Sequence, residues 1–227
     1  MKKLLILLLT LFTLTGCFCS KEKEEIRKGE ETAKKEMIEY LSKYYGINEV
    51  YTVKAENTYH RYSCSSFIGL VSAYFDYQGK KYGILYNHGK IQDELSYEQK
   101  IKPILIRYFD NNLSSYNLPN IENVILEDSN YYFKGKTLYE ANGNINSFDG
   151  IINEFEISTI RIYYENDSLF LKDKADAYEK LLENIRSNFK TIYDDKKYIS
   201  LIVDSYSNGK LKEELLINLA GVSYNQY

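Results

Sequence analysis

This sequence predicts an α+β fold: antiparallel strands covered on one face by helices, arranged as one domain with two similar halves or as two small domains. Three observations point there. Amphipathic helical stripes and alternating strand-like segments both occur. Two-residue turn signals at Gln78-Gly79 and Asn208-Gly209 each join a pair of strand-like runs. Each half also carries a helix followed by such a hairpin, with related turns, Tyr77-Gln-Gly-Lys80 and Tyr206-Ser-Asn-Gly-Lys210, as a degenerate duplication would leave.

Met1-Lys2-Lys3 is a short basic start. Residues 4–14 are apolar apart from Thr10 and Thr13, the build of a secretory signal peptide. A run of about 11 residues is too short to span some 30 Å of hydrocarbon as a helix. Leu14-Thr15-Gly16-Cys17 follows and resembles the lipobox of bacterial lipoproteins: a branched apolar residue, two small residues, then Cys. That resemblance covers residues 1–17 and implies a diacylglycerol on the Cys17 thiol, cleavage between Gly16 and Cys17, and an extracytoplasmic protein attached to the bacterial membrane. Each buried methylene contributes about 0.8 kcal/mol, so two or three acyl chains hold durably where one holds marginally. Phe18 stands where many lipoproteins retained at the inner membrane carry Asp.

The expected organisation is a signal peptide over 1–16, a lipidated charged tether over 17–29, an N-terminal α+β half over 30–113 and a C-terminal α+β half over 114–227. Residues 20–27 (SKEKEEIR) are almost wholly charged and form a solvated spacer. Ala33, Met37, Tyr40, Leu41 and Tyr44 recur at helical spacing, and Gly46 is placed to cap that helix. Residues 49–56 alternate as a strand. Residues 67–77 and 80–87 flank Gln78-Gly79 in a register that sets Phe75 opposite Tyr82, Ala73 opposite Ile84, Val71 opposite Tyr86 and Asp76 opposite Lys81. Ser96 and Gln99 form a candidate capping box for a helix to about Asn111. Pro103 either kinks that helix or starts it.

Residues 110–120 (DNNLSSYNLPN) are the candidate boundary. Beyond it, 121–127, 130–140 and 152–165 are expected strands, with 141–150 a Gly- and Asn-rich loop. Asp173 opens the clearest helix, with Tyr178, Leu181, Leu182, Ile185, Phe189 and Ile192 on one stripe. Residues 197–207 and 210–219 form the closing hairpin. An unbroken register sets Tyr206 opposite Leu211, Ile202 opposite Leu215 and Tyr198 opposite Leu219, and forces Asp204 against Glu213, a like-charge pair.

Loss of residues 1–16 leaves 211 residues, enough for a substantial core, and moves the formal net charge from −3 to −5. That balance argues against nucleic acid, which calls for clustered Lys and Arg. Of three cysteines, Cys17 is assigned to lipid. Cys19 and Cys64 remain, either as free thiols or as a disulfide that would fold the tether back onto the domain. Tyr is abundant, 24 residues against 10 Phe and no Trp; its apolar body and polar tip suit half-buried strand faces and also sugar or peptide contacts.

The first helix, the segment Tyr74-Phe-Asp-Tyr-Gln-Gly-Lys-Lys-Tyr82 and the Asn87-His-Gly-Lys90 turn are loosely similar to the small helix-plus-sheet modules of PepSY-like envelope proteins, over roughly 60 residues. That resemblance implies a binding or inhibitory module without catalysis.

Motifs that carry chemistry are few. His60 and Cys64 sit four apart in a segment without helical periodicity, and two ligands do not close a metal site. Ser187-Asn-Phe-Lys190 has the Ser-x-x-Lys spacing of penicillin-recognising enzymes, yet the spacing also occurs at Ser20/Lys23 and Ser207/Lys210, as coincidence allows at this Ser and Lys content. The acidic pairs Glu30-Glu31, Asp93-Glu94, Glu127-Asp128, Asp194-Asp195 and Glu213-Glu214 are read as solvated turns and helix ends, because adjacent carboxylates on a strand point to opposite faces. The expected function is therefore a lipid-tethered envelope module that binds a protein, peptide or polysaccharide through a Tyr-bearing sheet face or edge, with no cofactor or metal and no catalytic residue assigned. A carboxylate-dependent enzyme acting on cell-wall or surface polymers is the alternative, and a purely structural role in an envelope complex is a third reading.

Overall fold

The computed structural model describes residues 2–58, 66–128, 132–133, 136–155, 157–168, 170–188 and 199–227, and the chain divides into two units, Met1–Asp93 and Glu94–Tyr227. Both combine helices with sheets, in the α+β class.

In the first unit the helix α1 (Lys2–Tyr45) is longer than its periodicity suggested. Residues 20–27, expected only as a spacer, are helical. From Glu24 onward their side chains are largely exposed and paired along the helix: Arg27 Nη2 lies 2.7 Å from Glu24 Oε1, and its Nη1 reaches Glu31. Ala33, Met37 and Leu41 are fully buried, as their spacing predicted. Gly46 closes the helix at φ +71°, its N–H returning to Ser42 O and that of Ile47 to Leu41 O.

Four strands follow as an antiparallel meander: β1 (Tyr51–Thr58), β2 (Ser66–Tyr77), β3 (Lys80–Asn87) and β4 (Lys90–Asp93). The β2–β3 register is the expected one, from Val71 opposite Tyr86 to Asp76 opposite Lys81. Gln78 and Gly79 both adopt positive φ, as a two-residue hairpin turn of matching twist requires. The same geometry at His88 and Gly89 forms the expected Asn87-His-Gly-Lys90 turn and leads into β4, a strand with no signal of its own in the sequence. Within β2, Gly69 has φ +76°, which L side chains rarely adopt, and a Cβ there would press on the His88 ring, which would have to move. The carboxylate of Asp93, fully buried at the end of β4, accepts hydrogen bonds from Tyr40 (2.5 Å) and Tyr45 (3.3 Å) of α1, which ties helix to sheet.

The second unit starts with a helical stretch of three parts: α2 (Glu94–Ser96), a π-helical turn (Tyr97–Ile101) and α3 (Lys102–Leu113). Ser96 is itself helical and makes no side-chain cap, so the expected capping box does not form. The π-turn is the structural answer to Pro103. The N–H of Lys102 bonds five residues back to Tyr97 O, and the widened turn admits a ring that has no N–H and needs room. Ile101, Leu105, Phe109 and Leu113 then pack into this unit's core. The division of the chain accordingly falls after Asp93, and the 110–120 stretch is an internal connection containing a short 3-10 turn (Ser114–Tyr116).

The rest supplies β5 (Asn123–Asp128), the small hairpin β6 (Tyr132–Phe133) and β7 (Lys136–Thr137), α4 (Phe148–Glu154), β8 (Ile157–Glu165), α5 (Ala175–Asn188), β9 (Ser200–Ser207), β10 (Lys210–Asn218) and β11 (Gly221–Gln226). Sheet order is β11-β10-β9-β8-β5. Three expectations are corrected. The end of the 141–150 loop and the start of the expected 152–165 strand are helix α4, whose N-cap Ser147 accepts the Gly150 N–H. The sheet is mixed, because β8 and β9 pair in parallel across the α5 connection. In the closing hairpin Tyr206 does oppose Leu211, but a bulge at Lys212 shifts the register by one, so Glu213 lies opposite Ser205, Asp204 opposite Glu214 and Ile202 opposite Leu216. Tyr198, Phe189 and Ile192 lie outside the described residues. The strand β11 was not anticipated.

The core joins α3, α4 and α5 to Val124, Leu126, Ile160, Ile162, Tyr164, Leu201, Val203, Leu215 and Ile217, all on one face of the sheet. Tyr178 of α5 and Tyr164 of β8 are both buried, and the Tyr178 hydroxyl donates to that of Tyr164 at 2.9 Å. Burial pushes the Tyr164 phenol up to about 12. Tyr164→Phe strands the Tyr178 donor and is expected to cost about 2 kcal/mol in urea unfolding, whereas the Tyr164→Phe/Tyr178→Phe double variant is expected to cost less than the single one. Strict additivity would contradict this pairing.

Candidate functional site: the helix-free face of the second sheet

Alternation along β8 and β9 turns Arg161, Tyr163, Ile202, Asp204 and Tyr206 away from the helix-covered core. The parallel register sets Tyr163 beside Asp204. Pairing with β5, β10 and β11 extends that row to Asn123, Glu214 and Asn225, giving one polar line across five strands. The adjacent row is Ile125, Arg161, Ile202, Leu216 and Ser223. Polar acceptors thus border a mostly apolar, half-buried strip.

At the centre, Arg161 Nη1 donates to Asp204 Oδ2 at 2.8 Å, and its Nε lies 3.5 Å from Glu127 Oε1. Asp204 is 1 % exposed, and its Oδ1 has no hydrogen-bond partner among the described residues. Burial raises the Asp204 carboxyl above its ordinary value, the Arg161 hydrogen bond and charge oppose that rise, and Glu214 and Glu127 add to it. Burial opposes the charge of Arg161 as well, but the Asp204 hydrogen bond together with the charges of Asp204, Tyr163 and Glu127 outweighs it and holds the guanidinium above its usual range. The Tyr163 and Tyr206 rings lie 6.0 Å apart, tilted by 34°. Burial pushes the Tyr163 phenol up to about 12 and, together with the Asp204 charge, raises Tyr206. Perturbed groups gathered on a face that the described helices of this unit leave uncovered mark a candidate site on physical grounds.

The first unit holds a second Tyr-lined feature, a shallow groove along α1 with Tyr40, Tyr44 and Lys43 on one side and Ile91 of β4 on the other. Its tyrosines largely satisfy each other: the Tyr40 and Tyr44 rings are 5.0 Å apart, and Lys43 Nζ sits 4.9 Å from the Tyr44 ring centroid. In the second unit Glu98 and Asp110 line an open groove along α3 together with Lys102 and Arg107.

The residues singled out from sequence are placed as follows. Gly16 and Cys17 fall within the backbone of α1, and the side chains of Cys17 and Cys19 lie outside what is described. His60, Cys64 and the Asp194-Asp195 pair are outside the described residues. Ser187 donates to Asn184 O within the last turn of α5. The acidic pairs are less solvated than expected. Asp93 and Glu213 are buried, Glu94 pairs with Lys136 at 2.6 Å, and Glu30 accepts the Ala55 N–H at 2.8 Å. Glu213 and Glu214 do point to opposite faces. Glu213 turns into the core and Glu214 joins the polar row.

Among the described residues no helix is long and apolar enough to cross a membrane, and no group of three His, Cys, Asp or Glu could hold a metal ion. No protein-family model, curated protein or solved structure matches the chain.

Proposed function

We propose that this chain is a bacterial lipoprotein of the cell envelope, anchored by lipid on Cys17, whose second unit is a non-catalytic module that binds an envelope protein, peptide or polysaccharide. The anchoring half rests on the lipobox resemblance at Leu14-Thr15-Gly16-Cys17. The binding half is carried by one observation: the helix-free sheet face presents Tyr163 and Tyr206 beside a half-buried apolar strip and a buried carboxylate with an unused acceptor. Tyr at such a surface supplies contact area at low entropic cost, while an unused acceptor supplies direction.

The test uses the full chain in detergent, immobilised and exposed to envelope extract, alongside Tyr163→Ala/Tyr206→Ala with its fold checked by circular dichroism. A defined partner retained by the wild type and lost from the folded double variant is the expected result. Equal retention by both would contradict the assignment of this face.

A further inference from the structure

We propose that Asp204, Tyr163 and Tyr206 form an acceptor site for an alkylammonium group, supplied by a lysine side chain of a partner or by a small amine. This deepens the binding-face reading and rests on it.

The starting point is the orphan oxygen. Arg161 occupies Asp204 Oδ2, whereas Oδ1 is buried with no donor among the described residues. A buried carboxylate oxygen without a donor is a costly arrangement, and a donor arriving from outside relieves it. The surroundings specify the charge of that donor. Glu214 is the cross-strand neighbour of Asp204, and Glu127 lies on the far side of Arg161, so a group of three carboxylates holds one guanidinium, which pairs with Asp204 and Glu127. The excess negative charge favours a cation over an anion or a neutral donor.

The Tyr163 and Tyr206 rings, 6.0 Å apart, add negative π-faces beside the carboxylate. Their tilt of 34° distinguishes the pair from a parallel stack. Between the organic cations, the geometry selects ammonium. A guanidinium binds a carboxylate best through both oxygens, and Arg161 has already taken one; a single free oxygen suits a point-charge donor. Since Oδ1 is buried, admission requires a neighbouring side chain to change rotamer. Tyr206, half-buried two residues along β9 on the same face, is the neighbour assigned that movement.

The experiment titrates the full chain in detergent, followed by amide NMR shifts, with tri-lysine amide, with cadaverine, and with tri-lysine amide acetylated on every amino group, the N-terminal one included. Saturable binding of at least one amine is expected, with no binding of the acetylated peptide. Asp204→Asn is expected to weaken it by about tenfold or more. Tyr206→Leu, which leaves the charges in place, is expected to weaken it severalfold and serves as the second variant should Asp204→Asn fold poorly. A peptide that binds more tightly than cadaverine identifies a partner's lysine as the source, and the reverse identifies a small amine. Absence of saturable binding up to roughly 10 mM, equal binding of the acetylated peptide, or binding unaffected by Tyr206→Leu and by folded Asp204→Asn overturns the proposal. A partner that needs Tyr163 and Tyr206 in the extract experiment but is indifferent to Asp204→Asn overturns the ammonium assignment and leaves the binding face standing.

Discussion

Replacing Arg161 with Met is expected to destabilise the second unit by about 3 kcal/mol at neutral pH, because it leaves Asp204 buried and ionised without its partner. The Arg161 side chain is 23 % exposed, so the lower end of the range for broken buried pairs applies. The pH dependence carries more information than the magnitude. In the folded wild type the Asp204 carboxyl already titrates above its ordinary value of 3.8. A folded-state value above the unfolded one means that the proton stabilises the fold: this contribution is fully present below the unfolded value and is lost as pH rises through the folded one. Removing Arg161 takes away the influence that opposes burial, so the variant's folded value rises further. The difference in stability between variant and wild type should therefore grow from about pH 4 toward neutrality. Hydrogen exchange at the β8 and β9 amides, measured across that range, reads this unit by itself. A difference independent of pH would show that Arg161 acts through packing alone.

Glu213→Ala is expected to be as damaging, by about 3 to 4 kcal/mol, for a different reason. Glu213 of β10 turns toward the core and is 1 % exposed. Its Oε2 accepts the backbone N–H groups of Phe170 (2.7 Å) and Leu171 (3.2 Å), and its Oε1 accepts the Tyr224 hydroxyl (2.7 Å). One carboxylate thus satisfies the turn that leads into α5 and fastens β11. Alanine leaves one buried and one partly buried backbone donor without this acceptor and opens a cavity beside Leu171, which is fully buried. Gln keeps the shape and one acceptor oxygen and should cost about half as much. The Tyr224 phenol supplies an independent check: hydrogen bonding to Glu213 pushes it up to about 12, and in either variant it should titrate nearer its ordinary 10. Urea unfolding and ultraviolet titration of the tyrosines measure the two effects. A stable Glu213→Ala with unchanged Tyr224 titration would contradict the assigned role.

What was legible in the sequence was local. The β2–β3 register follows from Gln78-Gly79 and a consistent apolar face, and the Gly46 cap and the Tyr178, Leu181, Leu182, Ile185 stripe follow from helical spacing alone. What was missed depends on long-range pairing. The bulge at Lys212 relieves the Asp204–Glu213 clash that an unbroken register implied, but places Glu214 beside Asp204 instead. The parallel β8–β9 pair is a property of topology, and without it Arg161 and Asp204, 43 residues apart, do not meet. Of the face residues, Glu127 and Glu214 stood out only as members of acidic pairs, and Ile202, Asp204 and Tyr206 only as strand partners in the closing hairpin, while nothing marked Arg161 or Tyr163 as part of a site. One usable signal existed: Arg161 and Asp204 each interrupt a run of Ile, Leu, Val and Tyr, where a charge has to find a partner. Glu213 was misread as solvated for the same reason, since burial of a strand residue is decided by the sheet that receives it.

Cys17 remains the residue on which the proposed function turns, because a lipid on its thiol would decide where the proposed binding face operates. Fatty-acid labelling of the full chain expressed in a bacterium, with mass analysis of the N-terminal peptide, tests it most directly. The wild type should carry label in a peptide that begins at Cys17, with the Gly16-Cys17 bond cut, and Cys17→Ser should carry none. An intact Gly16-Cys17 bond in an unlabelled wild type, or label that persists in Cys17→Ser, would contradict the account.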